Sequence, residues 1–344
     1  MSLTRFLQRA ILVLAFFLVV TTFAQPTENL LQKRDDDDED IPTFQPSAPP
    51  AAKAGGMLYF LSQSKGAILS MSPTGGTPRT ILSGLMTKGP DGITVDKAAG
   101  HIYFSNMRPG SIERVNIDGT GRKTIVDTGV FQVGKQIVLV LEDGVKKLYW
   151  CAREGQKVMR ANVDGSSVEV VIDTSKDKCT GRECKNAVGV AVDTKNGWVY
   201  WTQKGAGGTG SIHRAPTKLQ AGQTAASRSD IQVVLDKLPE PIDLRWVDGY
   251  GLYWTDRGHA EGGNSVSRMQ MGADVQAGKA QFAVKPRPLV EGLNEGIGIA
   301  VDPVGQKMWF TELGGRIFQS NLDGTSKSVI ATGQGILTGI DYVP

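Results

Sequence analysis

Polar side chains recur at matching places in a pattern that repeats six times along the chain. Each repeat holds an aromatic pair, and one residue stands two places after it: Ser62, Asn106, Ala152, Gln203, Asp256 and Glu312. A second set lies in the segments before the repeats: Asp91, Gln136, Asn186, Glu240, Glu295 and Thr338. Adjacent loops add further groups: Arg108, Arg153, Glu154, Lys204, Arg257 and His259. Carboxylates, amides and cations that converge on one concave surface can bind a small molecule and polarise it.

From these sets we select the candidates for ligand contact. They are Asp91, Asn106, Arg108, Gln136, Arg153, Asn186, Gln203, Lys204, Asp256, His259, Glu295 and Glu312. Each has an alternative structural role, because Asp and Asn side chains in turns often hydrogen-bond to nearby backbone groups. A lone histidine such as His259 is more often a surface or hydrogen-bonded residue than a catalyst. We assign no catalytic residue, and the sequence predicts neither a metal site nor a cofactor.

The aromatic pairs recur roughly every 50 residues, which is the length of one supersecondary unit. They lie at residues 58–60, 102–104, 148–150, 199–201, 252–254 and 308–310. A Gly-Ile-x-Val-Asp pattern or a relative of it precedes most of them, as at residues 92–96, 189–193 and 298–302. Downstream Asp-Gly dipeptides predict tight hairpins, because glycine supplies the positive φ that such turns need. Four short strands per unit predict one blade of a β-propeller.

The aromatic motifs carry a family resemblance. Residues 253–256 are Tyr-Trp-Thr-Asp, and residues 200–203 are Tyr-Trp-Thr-Gln. With weaker copies from Met57 to the end, they resemble the YWTD repeats of the low-density lipoprotein receptor family. The resemblance implies an all-β fold, a six-bladed β-propeller in which aromatic side chains fill the space between blades. It also implies that the candidate residues cluster on one face, around a central channel.

The two ends of the repeat region predict how the propeller closes. The first unit begins at its aromatic strand and lacks a preceding Gly-Ile-x-Val-Asp strand. Residues 339–343 form a strand of that kind with no unit after it. We therefore expect the C-terminal strand to pair into the first blade beside residues 57–61. This closure removes an exposed sheet edge and fits six units.

The N-terminal region has the features of a targeting segment. Arg5 and Arg9 precede an apolar stretch at residues 10–20, and small residues up to Ala24 suit a signal peptidase. We predict a signal peptide at residues 1–24, with a retained membrane anchor as the alternative.

A short segment separates this signal from the repeats. Lys33-Arg34 precedes an acidic run and resembles a dibasic, kexin-type processing site, which suggests a fungal secretory protein. Residues 25–56 are assigned to a pro-segment and a Pro/Ala-rich linker, and residues 57–344 to the propeller. We expect the protein to be secreted or to reside in the secretory pathway or vacuole.

Charge and cysteine content limit the possible partners. The net charge is +3, with acidic and basic residues interleaved along the repeats, so no nucleic-acid partner is expected. We also expect no membrane association after signal removal, and a monomer. Cys179 and Cys184 are predicted to form a small loop-closing disulfide in an oxidising compartment, and Cys151 to be a buried thiol.

Three functions remain open at this level. The first is a non-catalytic binding or scaffold module, as in receptor YWTD domains. The second is a calcium-dependent hydrolase similar to gluconolactonase-like propellers, for which no full ligand set can be aligned. The third is a fungal enzyme of secondary-metabolite biosynthesis, resembling in general build the hetero-Diels–Alderases of tropolonic sesquiterpene pathways. We favour the third, in which an apolar small molecule binds in the channel and neither a nucleophile nor a metal is required.

Overall fold

The computed structural model describes residues 55–129, 132–181, 183–271 and 286–344. The predicted signal peptide and the processing residues Ala24, Lys33 and Arg34 lie outside the described residues, as do residues 25–54 of the predicted pro-segment and linker. Among the described residues, no helix is long and apolar enough to span a membrane.

The described residues form six four-stranded antiparallel sheets, each of which is one blade. From the inside outwards, blade 1 contains β24 (Leu337–Val343), β1 (Met57–Ser62), β2 (Ala67–Met71) and β3 (Arg79–Leu82). Blade 2 contains β4 (Pro90–Asp96), β5 (His101–Met107), β6 (Gly110–Asn116) and β7 (Lys123–Gly129). Blade 3 contains β8 (Gly134–Glu142), β9 (Val145–Ala152), β10 (Lys157–Asn162) and β11 (Glu169–Asp173). Blade 4 contains β12 (Ala187–Asp193), β13 (Trp198–Gln203), β14 (Gly210–Pro216) and β15 (Gln232–Leu238). Blade 5 contains β16 (Pro241–Val247), β17 (Gly251–Asp256), β18 (Ser265–Met269) and β19 (Arg287–Val290). Blade 6 contains β20 (Gly296–Asp302), β21 (Lys307–Glu312), β22 (Ile317–Asn321) and β23 (Ser328–Ala331). A short 3-10 helix at Thr174–Lys176 follows β11.

The six inner strands close into a ring. Each inner strand contacts the inner strand of the next blade, and β24 contacts β4 to complete the circle. The predicted closure is confirmed, because β24 pairs antiparallel with β1 from Met57 opposite Val343 to Ser62 opposite Leu337. The pairing therefore covers the inner edge of β1 and completes blade 1.

Apolar clusters fill the space between neighbouring blades. Trp150, Trp201 and Trp254 of the aromatic strands are at most 1% exposed. One cluster joins Trp201 to the buried Cys151 of the preceding blade, and another joins Trp254 to blade 4. Burial of one such side chain contributes roughly 5 kcal/mol of transfer free energy. The repeated aromatic residues therefore hold the blades together, and the predicted buried thiol at Cys151 is confirmed.

A hydroxyl group after the aromatic pair joins each of four blades to the next. In blade 4, the N–H of Gly189 donates to Thr202 Oγ1 at 2.7 Å, and the same hydroxyl donates to Ile242 O of blade 5 at 2.7 Å. Ser105, Thr255 and Thr311 do the same in their blades. The threonine of the YWTD motif is thus a bridge between inner strands, which explains its recurrence.

Two blades depart from this pattern. Cys151 occupies the bridging position in blade 3, and its thiol donates to Gly189 O at 3.3 Å. Leu61 occupies it in blade 1 and carries no hydroxyl. Blade 1 is instead joined to blade 2 by Thr338, whose hydroxyl donates to Pro90 O at 3.1 Å. The N–H of Val95 also donates to Asp341 Oδ2 at 2.9 Å.

Candidate functional site

A bulge lies near the start of the inner strands and determines which side chains face the channel. In β4 the pairing with β5 shifts between Pro90 and Ile93, and the equivalent shift occurs in β8, β12, β16 and β20. In β24 the shift in pairing lies between Leu337 and Ile340, which pair with Ser62 and Phe60 of β1. Such bulges leave residues unpaired and re-aim their side chains. Each inner strand therefore presents two bulge residues at the end of the channel where the strands begin.

The first bulge residues form a ring at this end, which we call the mouth ring. Its members are Asp91, Lys135, Val188, Ile242, Ile297 and Thr338. Val188, Ile242 and Ile297 contact one another across blades 4, 5 and 6, and Leu313 packs against them. Blades 1, 2 and 3 supply the polar members. The mouth ring is therefore apolar on one half and polar on the other.

An ion pair dominates the polar half of the mouth ring. Lys135 Nζ lies 2.5 Å from Asp91 Oδ1, and both side chains are largely buried. Thr338 completes this half and is 3% exposed. Since Asp91 and Lys135 neutralise each other, this half offers polar groups without net charge.

The second bulge residues lie one step deeper and are mostly glycine. A Cβ on Gly92 would lie 2.6 Å from Lys135 O, so the inner strands approach too closely for a side chain there. Gly189, Gly298 and Gly339 show the same close approach to the next strand. Blades 3 and 5 break the pattern with Gln136 and Asp243 respectively. Two polar side chains therefore enter the channel where the other blades have none.

Gln136 crosses the channel and is fully engaged. Its Oε1 accepts from the N–H of Val190 at 2.7 Å and of Leu244 at 2.9 Å. Its Nε2 donates to Leu244 O at 2.7 Å. The side chain thereby joins blade 3 to blades 4 and 5, so the candidate residue Gln136 has a clear structural task.

Arg245 crosses the opposite part of the channel. Its Nε donates to Ile299 O at 2.8 Å, and its Nη2 donates to Ile340 O at 3.1 Å. The same Nη2 lies 3.2 Å from Asp341 Oδ1, which gives Arg245 a carboxylate partner. Burial raises the pKa of Asp341, and the Arg245 charge opposes that rise. The channel is thus blocked below the mouth ring by polar side chains.

Asp243 differs from its polar neighbours. It is 5% exposed, and no hydrogen bond or ion pair to its carboxylate is found within the described residues. Burial, with a further contribution from the Asp91 charge, raises the pKa of Asp243 to about 8. Arg245 and Lys135 act against this rise. Asp243 is therefore a carboxyl group that is largely protonated at neutral pH.

The candidates that follow the aromatic pairs lie at the blade ends and bind parts of the protein. Asn106 Nδ2 donates to Glu113 Oε1 at 2.9 Å, and Gln203 Nε2 donates to Asp177. Glu312 accepts from the N–H of Asn294 at 2.7 Å and pairs with Arg316. These candidates are at most 2% exposed. Gln203 and Glu312 hold loop residues near the mouth, whereas Asn106 joins β5 to β6, and contact with a ligand stays a prediction for each.

Asp256 fastens the loops on both sides of it. Its carboxylate accepts from the N–H of Glu240 at 2.9 Å and of Gly258 at 2.9 Å. Burial raises the pKa of Asp256 to about 7, although both of these hydrogen bonds lower it. The residue therefore holds Glu240 next to the start of β16.

A chain of ion pairs borders the apolar half of the mouth. Lys204 Nζ lies 2.8 Å from Glu183 and 3.1 Å from Glu240. Arg257 lies 2.7 Å from Glu240 and 3.7 Å from Glu295. The structure thus brings together the candidates Lys204 and Glu295 through Glu240 and Arg257. We call these five residues the charged rim.

The remaining candidates lie further out. Arg108 and His259 are exposed, and His259 Nδ1 contacts Asn264 Nδ2 at 3.3 Å. Arg153 pairs with the adjacent Glu154. Asn186 borders a pocket of about 320 Å³. The same pocket is lined by Cys179 and Cys184, whose disulfide bond confirms the predicted bridge. These residues are not brought together with the mouth ring.

The structure adds site residues that the sequence did not single out. Lys135, Asp243 and Arg245 carry the polar chemistry of the channel, and none was among the candidates. One signal was present, because Asp243 stands where good repeats have glycine. The sequence gives no sign of the bulge, so Asp91 and Gln136 fall into one set there although they occupy successive bulge positions. Among the described residues, no group of three or more His, Cys, Asp or Glu is placed to hold a metal ion.

No protein-family model matches the chain. The low-density lipoprotein receptor-related protein 1 of Pyricularia oryzae is 41% identical over 300 residues, which cover 82% of this chain and 94% of that protein. The chain belongs to the YWTD β-propeller family. A second relative of this YWTD propeller is the 3-hydroxyacyl-CoA dehydrogenase-like protein LAM1 of Cochliobolus heterostrophus, 32% identical over 285 residues. That match covers 79% of this chain and only 59% of LAM1.

A solved structure supports the YWTD fold. A chain of the nidogen/laminin complex superposes with a TM-score of 0.64 and 17% identity, covering 84% of this chain and 99% of that chain. At this identity the likeness concerns the fold alone. The disulfide and the receptor-related relative accord with an extracellular or secretory protein.

Proposed function

We propose that this YWTD propeller binds an apolar small molecule at the mouth of its channel. The observation that carries the proposal is the mouth ring, whose two halves differ in polarity. Val188, Ile242 and Ile297 pack together as an apolar group that is at most 6% exposed, and Lys135 and Asp91 form an ion pair in the other half. Ligand sites commonly combine an apolar wall with a few fixed polar groups. A largely apolar ligand with one polar end matches this arrangement.

The polar groups beneath the mouth ring would fix the ligand's depth. Gln136 and Arg245 block the channel and are held by backbone carbonyls on several strands. A ligand would therefore rest on the mouth ring and not pass through the propeller. The charged rim would border it on the side of blades 4 to 6, where Lys204 and Arg257 lie.

The catalytic form of this proposal is a pericyclic enzyme of secondary-metabolite biosynthesis, of hetero-Diels–Alderase type. Such a reaction forms its two new bonds from the π electrons of diene and dienophile, so no proton or leaving group is transferred. The protein would hold both partners in a reactive geometry and polarise a carbonyl oxygen by hydrogen bonding. The fungal origin of the two relatives described above supports this setting. The predicted signal peptide would direct this reaction to the secretory pathway.

A second candidate function is a protein-binding module. The charged rim favours it, because half-buried ion-pair networks at a blade face can recognise a partner surface. The name of the receptor-related relative points the same way. In this alternative the mouth ring only packs the propeller.

Binding of a neutral dimethylaminonaphthalene fluorophore tests the proposal. We expect its emission to rise and shift to the blue with the mature protein. Changing Ile297 to Thr places a hydroxyl in the apolar half and should weaken binding about tenfold. The matched control is Val304→Thr on the surface, where the side chain is 70% exposed, and binding should not change. Absence of saturable probe binding, or equal effects of both variants, would contradict the proposal and favour the protein-binding module.

The genomic neighbourhood tests the catalytic form separately. Flanking genes for a polyketide synthase and a terpene cyclase would support it. A neighbourhood of housekeeping genes would count against a biosynthetic role, whether or not the probe binds.

A further inference from the structure

Among the described residues, Asp243 is the polar side chain of the channel that lacks a partner. Gln136 makes three hydrogen bonds to backbone groups, and Asp91 and Asp341 each have a cationic partner. The Asp243 carboxylate makes no hydrogen bond or ion pair within the described part of the chain. An unpartnered buried carboxyl group costs free energy, so its presence calls for an explanation. Packing provides none, because the equivalent residue in four blades is glycine.

Charge balance around Asp243 indicates the kind of ligand. The nearby cations are Lys135 and Arg245, and each already faces a carboxylate, Asp91 and Asp341 respectively. With Asp243 protonated, these five groups carry no net charge. An ionised Asp243 would instead add a buried negative charge close to Asp91. The site therefore suits a neutral ligand, and a protonated carboxyl group can donate one hydrogen bond to it.

We propose that the carboxyl group of Asp243 donates a hydrogen bond to a carbonyl oxygen of the neutral ligand held at the mouth ring. This inference rests on the proposed function and names its substrate class, an apolar ketone, aldehyde or other carbonyl compound. Asp243 directly follows Ile242 of the mouth ring, and Asp91 and Lys135 of the polar half act on its carboxyl group, so this group lies beside the mouth ring. A carbonyl placed there would turn its oxygen towards Asp243 and its apolar part towards Ile242.

The groups around Asp243 decide how this donor responds to pH. Asp91 on β4, Lys135 on β8 and Cys151 on β9 lie near it on other strands, and Arg245 lies near it on the same strand, β16. Strands β12, β20 and β24 bring only uncharged residues to the bulge: Val188, Gly189, Ile297, Gly298, Thr338 and Gly339. Burial raises the pKa of the Cys151 thiol well above its usual range, so it stays neutral through the window in which Asp243 titrates. Asp243 is thus the group expected to change charge between neutral and mildly alkaline pH.

The test compares two probes that differ only in a propionyl group, which carries the carbonyl. One is the neutral dimethylaminonaphthalene fluorophore, and the other is its propionyl derivative, whose emission also reports hydrogen bonding to the carbonyl. We expect the propionyl probe to bind about tenfold more weakly at about pH 9 than at about pH 6, while the probe without a carbonyl binds equally at both. Asp243→Asn keeps a neutral donor and should remove the pH dependence. Asp243→Leu should weaken only the propionyl probe.

The outcomes separate the two proposals. If both probes bind and neither shows pH dependence in the unaltered protein, the Asp243 inference is wrong and the ligand site stands. If neither probe binds at either pH, the proposed function fails and the inference falls with it. The comparison in the unaltered protein does not depend on a variant that folds. Circular dichroism of both Asp243 variants shows whether their probe data can be used.

Discussion

Replacing Thr202 by Val tests the hydroxyl bridge between blades. Thr202 is fully buried, and its hydroxyl accepts from Gly189 N–H and donates to Ile242 O, each at 2.7 Å. Valine has nearly the same shape but leaves both backbone groups buried without a partner. Each such loss costs about 1–3 kcal/mol, so we expect a destabilisation of about 3 kcal/mol. This is a large fraction of the stability of an ordinary domain.

Two matched variants isolate the hydrogen bonds from the packing. Thr202→Ser keeps the hydroxyl, as Ser105 does in blade 2, and should cost only about 1 kcal/mol for the lost methyl group. Thr202→Cys imitates Cys151 in blade 3 and should fall between the two, since a thiol is a weak donor. The order of cost is therefore Val, then Cys, then Ser.

Urea unfolding followed by tryptophan fluorescence measures these differences. The midpoint should fall in that order while the m-value stays constant, because the surface exposed on unfolding does not change. A Thr202→Val protein as stable as Thr202→Ser would refute the bridging role. Side-chain packing alone would then explain why threonine recurs at this position of the repeat.

Three further predictions concern closure, titration and the disulfide. Removal of residues 339–344 should abolish cooperative unfolding in a circular dichroism melt, because β24 would lose the residues that pair with Met57, Leu58, Tyr59 and Phe60; an unchanged melting temperature would contradict the closure. The pKa of Asp243 is raised to about 8, so the folded protein binds more protons than the unfolded chain and the unfolding free energy should fall as pH rises from about 4 to about 8. Asp243→Asn should flatten this slope in urea titrations across that range, and an equal slope in both proteins would oppose the burial argument. Cys179→Ser should cost about 2 kcal/mol in the same assay, and a count of three free thiols in the mature protein would remove the basis for it.

The sequence was sufficient to predict the fold because its signals are local. A few consecutive residues are enough to predict an aromatic strand such as that of Trp254. The same holds for a turn such as that at Gly324, whose φ is 85°. The recurring unit then predicts blade number, and the unmatched strand at each end predicts closure. All of these predictions were confirmed by the strand pairing.

The candidate site was less predictable because it depends on contacts between distant strands. The bulge before Ile93 is invisible in the sequence, yet it determines that Asp91 and Lys135 meet across two blades. Glu312 could be placed at a blade end, but its capture by Arg316 and by the backbone of Asn294 could not. Which side chains meet across the ring depends on the relative positions of all six inner strands, and these positions cannot be read from any one repeat.

The pairing of β1 with β24 determines how the propeller would respond to mechanical load. Met57 and Val343 lie opposite each other in an antiparallel pair, so the two ends of the propeller are adjacent. A pulling force applied between these ends would peel the two strands apart one hydrogen bond at a time, instead of shearing all the bonds at once. Blade 1 would open first under tension, while the five other blades, each built from one continuous stretch of chain, would stay paired.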